Sequence, residues 1–74
     1  MVYYNIEIEG RIIQVPSEDD EMSVKRLKNH ILRHFEKINY DNLVVSLREN
    51  NSIFNLDDNE LVDCSQNFIL EIED

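Results

Sequence analysis

Cysteine, glycine and basic residues are scarce in this chain, and each scarcity excludes something. Cys64 is the only cysteine, so neither an internal disulfide nor a cysteine-based zinc site can form within one chain, and the core must hold unaided. Gly10 is the only glycine, which leaves no glycine-rich loop to cradle a phosphate. Seven Lys and Arg stand against sixteen Asp and Glu, a formal charge of −9. Such a chain repels phosphates at long range, which argues against nucleic acid and anionic membranes as partners and favours a protein partner of basic or mixed charge. No apolar run is long enough to span a bilayer. The chain enters strand-like sequence directly after Met1, with no basic-then-apolar leader and no cleavage site, so the expected compartment is cytoplasmic or nuclear.

What is present suits one small globular domain covering residues 1–74. Of the 74 residues 42% are apolar, enough to supply one core, although a chain of this length buries only a modest fraction of its surface. Val2, Tyr4, Ile6 and Ile8 alternate with Tyr3, Asn5, Glu7 and Glu9, the period-two pattern of a strand with one buried face. Glu9-Gly10 then predicts a two-residue hairpin turn, with a second strand over Arg11 to Val15. In that register Ile8 pairs with Arg11, Ile6 with Ile13 and Tyr4 with Val15. Pro16, lacking a ladder donor, is expected to end the strand.

Ser17 to Glu21 is a polar, acidic connection, and Ser23 is the expected N-cap of a helix. Val24, Leu27, Ile31, Phe35 and Ile38 recur at spacings of three and four, one apolar stripe, with Lys25, Arg26, Arg33 and Lys37 on other faces. Asn39 to Asn42 reads as a turn. Leu43, Val45 and Leu47 mark a third strand, Glu49-Asn50-Asn51 a turn, and Ser52-Ile53-Phe54 a short fourth strand. Asn55 to Ser65 reads as irregular, with a helical turn around Leu61. The last strand, Phe68 to Ile72, directs Phe68, Leu70 and Ile72 to one face and Ile69, Glu71 and Glu73 to the other. The expected element order is ββαββ(turn)β, and the expected fold class is α+β.

Several residues match a known family beyond this pattern. Gly10-Arg11 falls where ubiquitin has Gly-Lys. Ser23-Val24-Lys25-Arg26-Leu27-Lys28-Asn29-His30-Ile31 resembles ubiquitin's Thr-Ile-x-x-Val-Lys-x-x-Ile, Leu43-Val44-Val45 its Leu-Ile-Phe, and Phe68-Ile69-Leu70 its Leu-His-Leu. Nearly the whole chain is covered, and the resemblance implies a ubiquitin-like β-grasp domain, a mixed sheet of four to five strands crossed by one α-helix, that binds other proteins. The departures are functional. The sequence ends Glu71-Ile72-Glu73-Asp74, without the two terminal glycines of a conjugated modifier or sulfur carrier, so a non-conjugated member, the N-terminal domain of a longer protein, is expected. Where ubiquitin's receptor patch has Leu, Ile, His and Val, the matching strand positions here are Val44, Ile69 and Glu71, with no leucine in the Glu9-Gly10-Arg11 turn.

If strand order follows that family, Tyr3, Val44 and Ile69 lie on neighbouring strands of the face away from the helix, with Ile12 one strand further out and Glu7, Arg48 and Glu71 as a charged rim. An apolar centre with a charged rim is how many interfaces look, so Tyr3, Ile12, Val44, Arg48, Ile69 and Glu71 are the candidate partner-binding residues. The charge distribution supplies an alternative. Lys25, Arg26, Lys28, Arg33 and Lys37 surround the single acid Glu36 on the helix, whereas everything after Arg48 contains eight acids and no base. An electrostatic self-association or heterodimer would pair that basic helix with Asp57, Asp58, Glu60 and Asp63.

Chemistry finds little support. His30 and His34 have chelating i, i+4 spacing, but no third ligand stands out and no metal is expected. The Asp57 to Asp63 cluster lacks the glycine and ligand alternation of a calcium loop. Cys64 has no activating base adjacent in sequence, and the acidic stretches contain nothing to hold carboxylates desolvated. No enzyme activity and no cofactor are expected.

Overall fold

A computed structural model describes residues 1–34 and 39–73. Its strands are β1 (Val2–Ile8), β2 (Arg11–Ser17), β3 (Glu21–Ser23), β4 (Leu43–Glu49), β5 (Ser52–Asn55), β6 (Leu61–Asp63) and β7 (Asn67–Ile72), with helix α1 (Val24–Leu32) and a 3-10 turn at Tyr40–Asn42. Among the described residues, five strands form one sheet in the order β2-β1-β7-β4-β5, and β3 and β6 form a separate two-stranded ribbon. Strands β1 and β7 run parallel and the other neighbours antiparallel. The helix packs against both β2 and β4 and so crosses the sheet. This is an α+β fold of β-grasp type, as the resemblance to ubiquitin implies.

The first hairpin has the expected register, Ile8 opposite Arg11, Ile6 opposite Ile13 and Tyr4 opposite Val15. Glu9 (φ 49°) and Gly10 (φ 80°) are both left-handed, the twist that a two-residue hairpin needs. Pro16 does not end β2, which runs on to Ser17. The register explains this: Ile8–Arg11 next to the turn is a hydrogen-bonded pair, so Tyr3–Pro16 is a non-bonded one, and on an edge strand the proline nitrogen faces outward.

Tyr4, Ile6, Val15, Val45, Phe68 and Leu70 from the sheet meet Val24, Leu27 and Ile31 of α1, with Met22 and Val62 from the ribbon. Tyr4 and Phe68 pack with ring centroids 6.2 Å apart. The stripe predicted for α1 is buried as far as Ile31; Phe35 and Ile38 lie outside the described residues. The helical turn expected around Leu61 is instead strand β6, whose Val62 pairs with Met22. Two buried apolar residues face each other across three-residue strands, and this pairing overrides the local irregularity of the sequence.

The left-handed backbone at Glu9 generates a prediction, because asparagine adopts that conformation at lower cost than glutamate. Glu9→Asn should stabilise the domain by on the order of 0.5 kcal/mol, seen as a higher midpoint in urea denaturation; an unchanged or lower midpoint would contradict the turn geometry.

Candidate functional site

Two polar constellations organise the surface. The first lies at the N-terminus of α1, where the first-turn N–H groups have no partner within the helix. Ser23 Oγ accepts from the N–H of Arg26 at 3.2 Å, as expected of an N-cap. The N–H groups of Val24 and Lys25 donate to the carbonyls of Glu60 (2.9 Å) and Asp58 (3.0 Å). The acidic connection between β5 and β6 is therefore docked on the helix end. Asp58 adds its carboxylate: Oδ1 accepts from Lys28 Nζ at 2.7 Å and Oδ2 from the Tyr40 hydroxyl at 2.5 Å. Lys28 also lies 5.1 Å from the centre of the Tyr40 ring, within cation–π range. The hydrogen bonds from Lys28 and Tyr40 hold the Asp58 carboxyl below its ordinary range, while burial and the bond to Asp58 push the Tyr40 phenol up to about 12.

This geometry places the alternative electrostatic residues differently from the expectation. Lys28 is buried and paired with Asp58, and Arg26 is paired with Asp19 at 2.5 Å. Glu60 folds back so that its carboxylate accepts from the N–H of Asp57, and Asp63 accepts from the N–H and hydroxyl of Ser65, which lower its pKa. Lys25 and Arg33 are exposed, and Lys37 lies outside the described residues. Basic helix and acidic loop thus meet within one chain at a single pair, Lys28 and Asp58, which the loop's backbone hydrogen bonds to the first turn of α1 bring together.

The second constellation is the outer face of the sheet. Ile69 lies between Glu7 on β1 and Ser46 on β4, and Val44 lies beside Glu71. Ile12 stands opposite Glu7 on β2 and is 70% exposed. Tyr3 does not join them. It sits opposite Pro16, four residues before Glu7 and so about 13 Å along the strand at 3.3 Å per residue, and Val44 lies past Ile69 in the opposite direction. The Glu7–Arg48 pair is also no rim. The Arg48 guanidinium reaches across β7 to both Glu7 oxygens, at 3.2 and 3.4 Å, in the forked geometry that fixes both side chains. Together Asn5, Glu7, Ile12, Arg48, Asn67 and Ile69 line a depression of about 390 Å³.

Sequence reasoning missed Ser46, which is 1% exposed on this outer face and whose hydroxyl donates to Asn55 Oδ1 at 2.7 Å. It missed Asn5 and Gln14 as well, a cross-strand amide pair at 3.3 Å. Both pairs follow from strand register, which no local motif announces. His30 and His34 line a different depression, together with Asp19, Arg26 and Arg33. His30 Nε2 is buried without a hydrogen-bond partner. Burial first, then Arg33 and Arg26, hold its pKa below the ordinary 6.5. Among the described residues no three His, Cys, Asp or Glu side chains are grouped to hold a metal, and no helix is long and apolar enough to cross a membrane.

The arrangement defines a β-grasp domain whose outer sheet face carries exposed isoleucines, Ile12 on β2 and Ile53 opposite Arg48 on β5, on either side of a fixed ion pair. No protein-family model matches the chain, and no curated protein matches its sequence.

Two predictions follow from the polar contacts. Asp58→Asn leaves the buried Lys28 ammonium without a counter-charge and should cost about 2 kcal/mol, measured by urea denaturation at pH 7; a loss indistinguishable from that of an exposed control such as Asp41→Asn would show the contact to be inert. The His30 pKa is lower folded than unfolded, so the unfolded chain takes up the proton first and stability is lost as pH falls through 6.5. Between pH 7.5 and 5.5 the wild type should lose stability and a His30→Leu variant should lose less; equal losses would refute the assignment.

Proposed function

We propose that this chain is a ubiquitin-like interaction module that recruits a protein partner through the outer face of its sheet, in the cytoplasm or nucleus. The carrying observation is the depression lined by Ile12 and Ile69: the Glu7–Arg48 fork also lines it, and Ile12 is 70% exposed. A large apolar side chain held in solvent next to a pre-positioned ion pair offers both burial and orientation to a partner. The footprint is narrower than Tyr3, Ile12, Val44, Arg48, Ile69 and Glu71 taken together. It contains Ile12, Ile69 and Arg48, with Val44 and Glu71 on its border, and omits Tyr3.

The reading requires no catalytic group. Lys28, Asp58 and Tyr40 contact one another, as do Glu7 and Arg48, which suits a recognition surface. The self-association alternative is the weaker reading, because Arg26, Lys28 and Asp58 are held in ion pairs inside the chain.

Ile12→Glu combined with Ile69→Thr should abolish partner capture while the circular dichroism spectrum stays native. A Leu61→Glu control, 68% exposed on β6, should capture as the wild type does. Capture surviving the double change, or lost equally in the control, would defeat the proposal.

A further inference from the structure

The sheet has two edges, and they are protected unequally. On β2 the outward-facing nitrogen near the end of the strand belongs to Pro16, which offers no donor, and Arg11 stands at its start. A proline and a charge are ordinary means of blocking an edge. Strand β5 has neither. Ser52, Ile53, Phe54 and Asn55 carry no charge and are all exposed, with Ile53 at 56% and Phe54 at 52%.

Register determines which backbone groups are free. Asn50 (φ 49°) and Asn51 (φ 67°) form a two-residue turn closed by Glu49 opposite Ser52, and Leu56 N–H donates to the Val45 carbonyl at 3.0 Å. Residues 52, 54 and 56 therefore direct their backbone groups to β4, and Ile53 and Asn55 direct theirs away from the sheet. Beyond Asn55 the edge is closed, because Asp57 gives its N–H to the Glu60 carboxylate and its carbonyl to the Glu60 N–H. The open edge is thus a short segment of two donors and two acceptors, with Ile53 on one face and Phe54 on the other, which is the requirement for strand addition. Its surroundings choose the occupant. Glu49, Asp57 and Glu60 flank the segment and are exposed, and no base follows Arg48 in the sequence. A second copy would bring the same acids to the same place, with a charge of −9 on each partner.

We propose that the β5 edge accepts an extended peptide segment with alternating apolar side chains at its centre and lysine or arginine at its ends, added as a further strand. This edge adjoins the Ile12–Ile69 depression through Arg48, the cross-strand neighbour of Ile53, but it binds through backbone groups that the depression does not use, so each can fail without the other.

The test is a titration of the full, nitrogen-15-labelled chain with a seven-residue peptide of alternating valine and threonine bearing a lysine at each end. Amide shifts should concentrate at Ile53, Phe54 and Asn55. Hydrogen exchange at Ile53 and Asn55 should slow by about fivefold or more at saturation, and affinity should fall about threefold or more between 50 and 300 mM salt. Ile53→Pro removes an outward donor without breaking a bond to β4, so it should abolish the shifts while the melting transition persists. Should that variant unfold, Glu49→Lys with Asp57→Lys serves instead, and should turn the preference towards the same peptide ended in glutamate. The proposal is overturned by shifts centred on β2 or on Ile12 and Ile69, by an absence of shifts at about 1 mM peptide, or by equal binding of the glutamate-ended peptide to the wild type. Broadening of the β5 amides with protein concentration alone would also overturn it, by assigning the edge to a second copy.

Discussion

The N-terminus of α1 is the point on which the rest of the molecule depends. A nine-residue helix is marginal by itself, since isolated helices shorter than about 12 residues gain too little from propagation to offset nucleation. Its first-turn donors need acceptors, and the carbonyls of Asp58 and Glu60 supply two of them. That requirement pins the β5–β6 connection against the helix and brings β6 alongside β3. With the ribbon in place Val62 is buried against Met22, and with Asp58 in place Lys28 and Tyr40 acquire their partner. One set of backbone hydrogen bonds thus fixes a loop, a ribbon and a buried cation together.

The strands of the main sheet and the buried faces of its elements were legible in the sequence, because alternation in β1, β4 and β7 and the Val24, Leu27, Ile31 stripe report burial directly. The first hairpin register was legible too, since Glu9-Gly10 leaves one pairing that keeps the apolar residues on one face. Three features were not. The β3–β6 ribbon was hidden because three residues show no period and its stabilisation comes from a segment some forty residues away. The position of Tyr3 relative to Val44 and Ile69 depends on the parallel register of β1 against β7, and parallel neighbours far apart in sequence share no turn that could set that register in advance. The acidic loop read as solvated because composition reports side-chain charge, whereas its structural role is carried largely by backbone carbonyls.

The outer face illustrates how register converts a list of residues into a surface. Alternation correctly assigns Tyr3, Glu7, Ile12, Val44, Arg48, Ile69 and Glu71 to one side of the sheet, but it carries no information on their positions along the strands. Once β7 is set between β1 and β4, Glu7 and Arg48 fall within reach across it. The ion pair then occupies ground that an apolar patch would have needed. Such a surface is less adhesive than a bare hydrophobic one and more demanding of a partner's geometry, because a partner that buries Ile12 must also match or displace a forked charge pair.

Charge arrangement connects fold and recognition. Among the described residues Arg26, Lys28 and Arg48 are in ion pairs with acids of the same chain, Lys28 buried and the two arginines at the surface, so these bases are already engaged within the chain. Acids in excess of these pairs remain in solvent, among them Glu49, Asp57, Glu60, Glu71 and Glu73, where they repel one another and lower the stability of the compact state. A basic partner of the kind proposed would gain twice from this arrangement: it would make its own contacts, and it would relieve repulsion that the free domain carries. Because binding to the native state alone stabilises it by mass action, that relief must appear in the affinity as a dependence on salt. Exposed charges separated by more than a Debye length lose most of their influence at physiological ionic strength, so selection of such a partner would fall to the acids immediately bordering the contact and not to the net charge of the molecule.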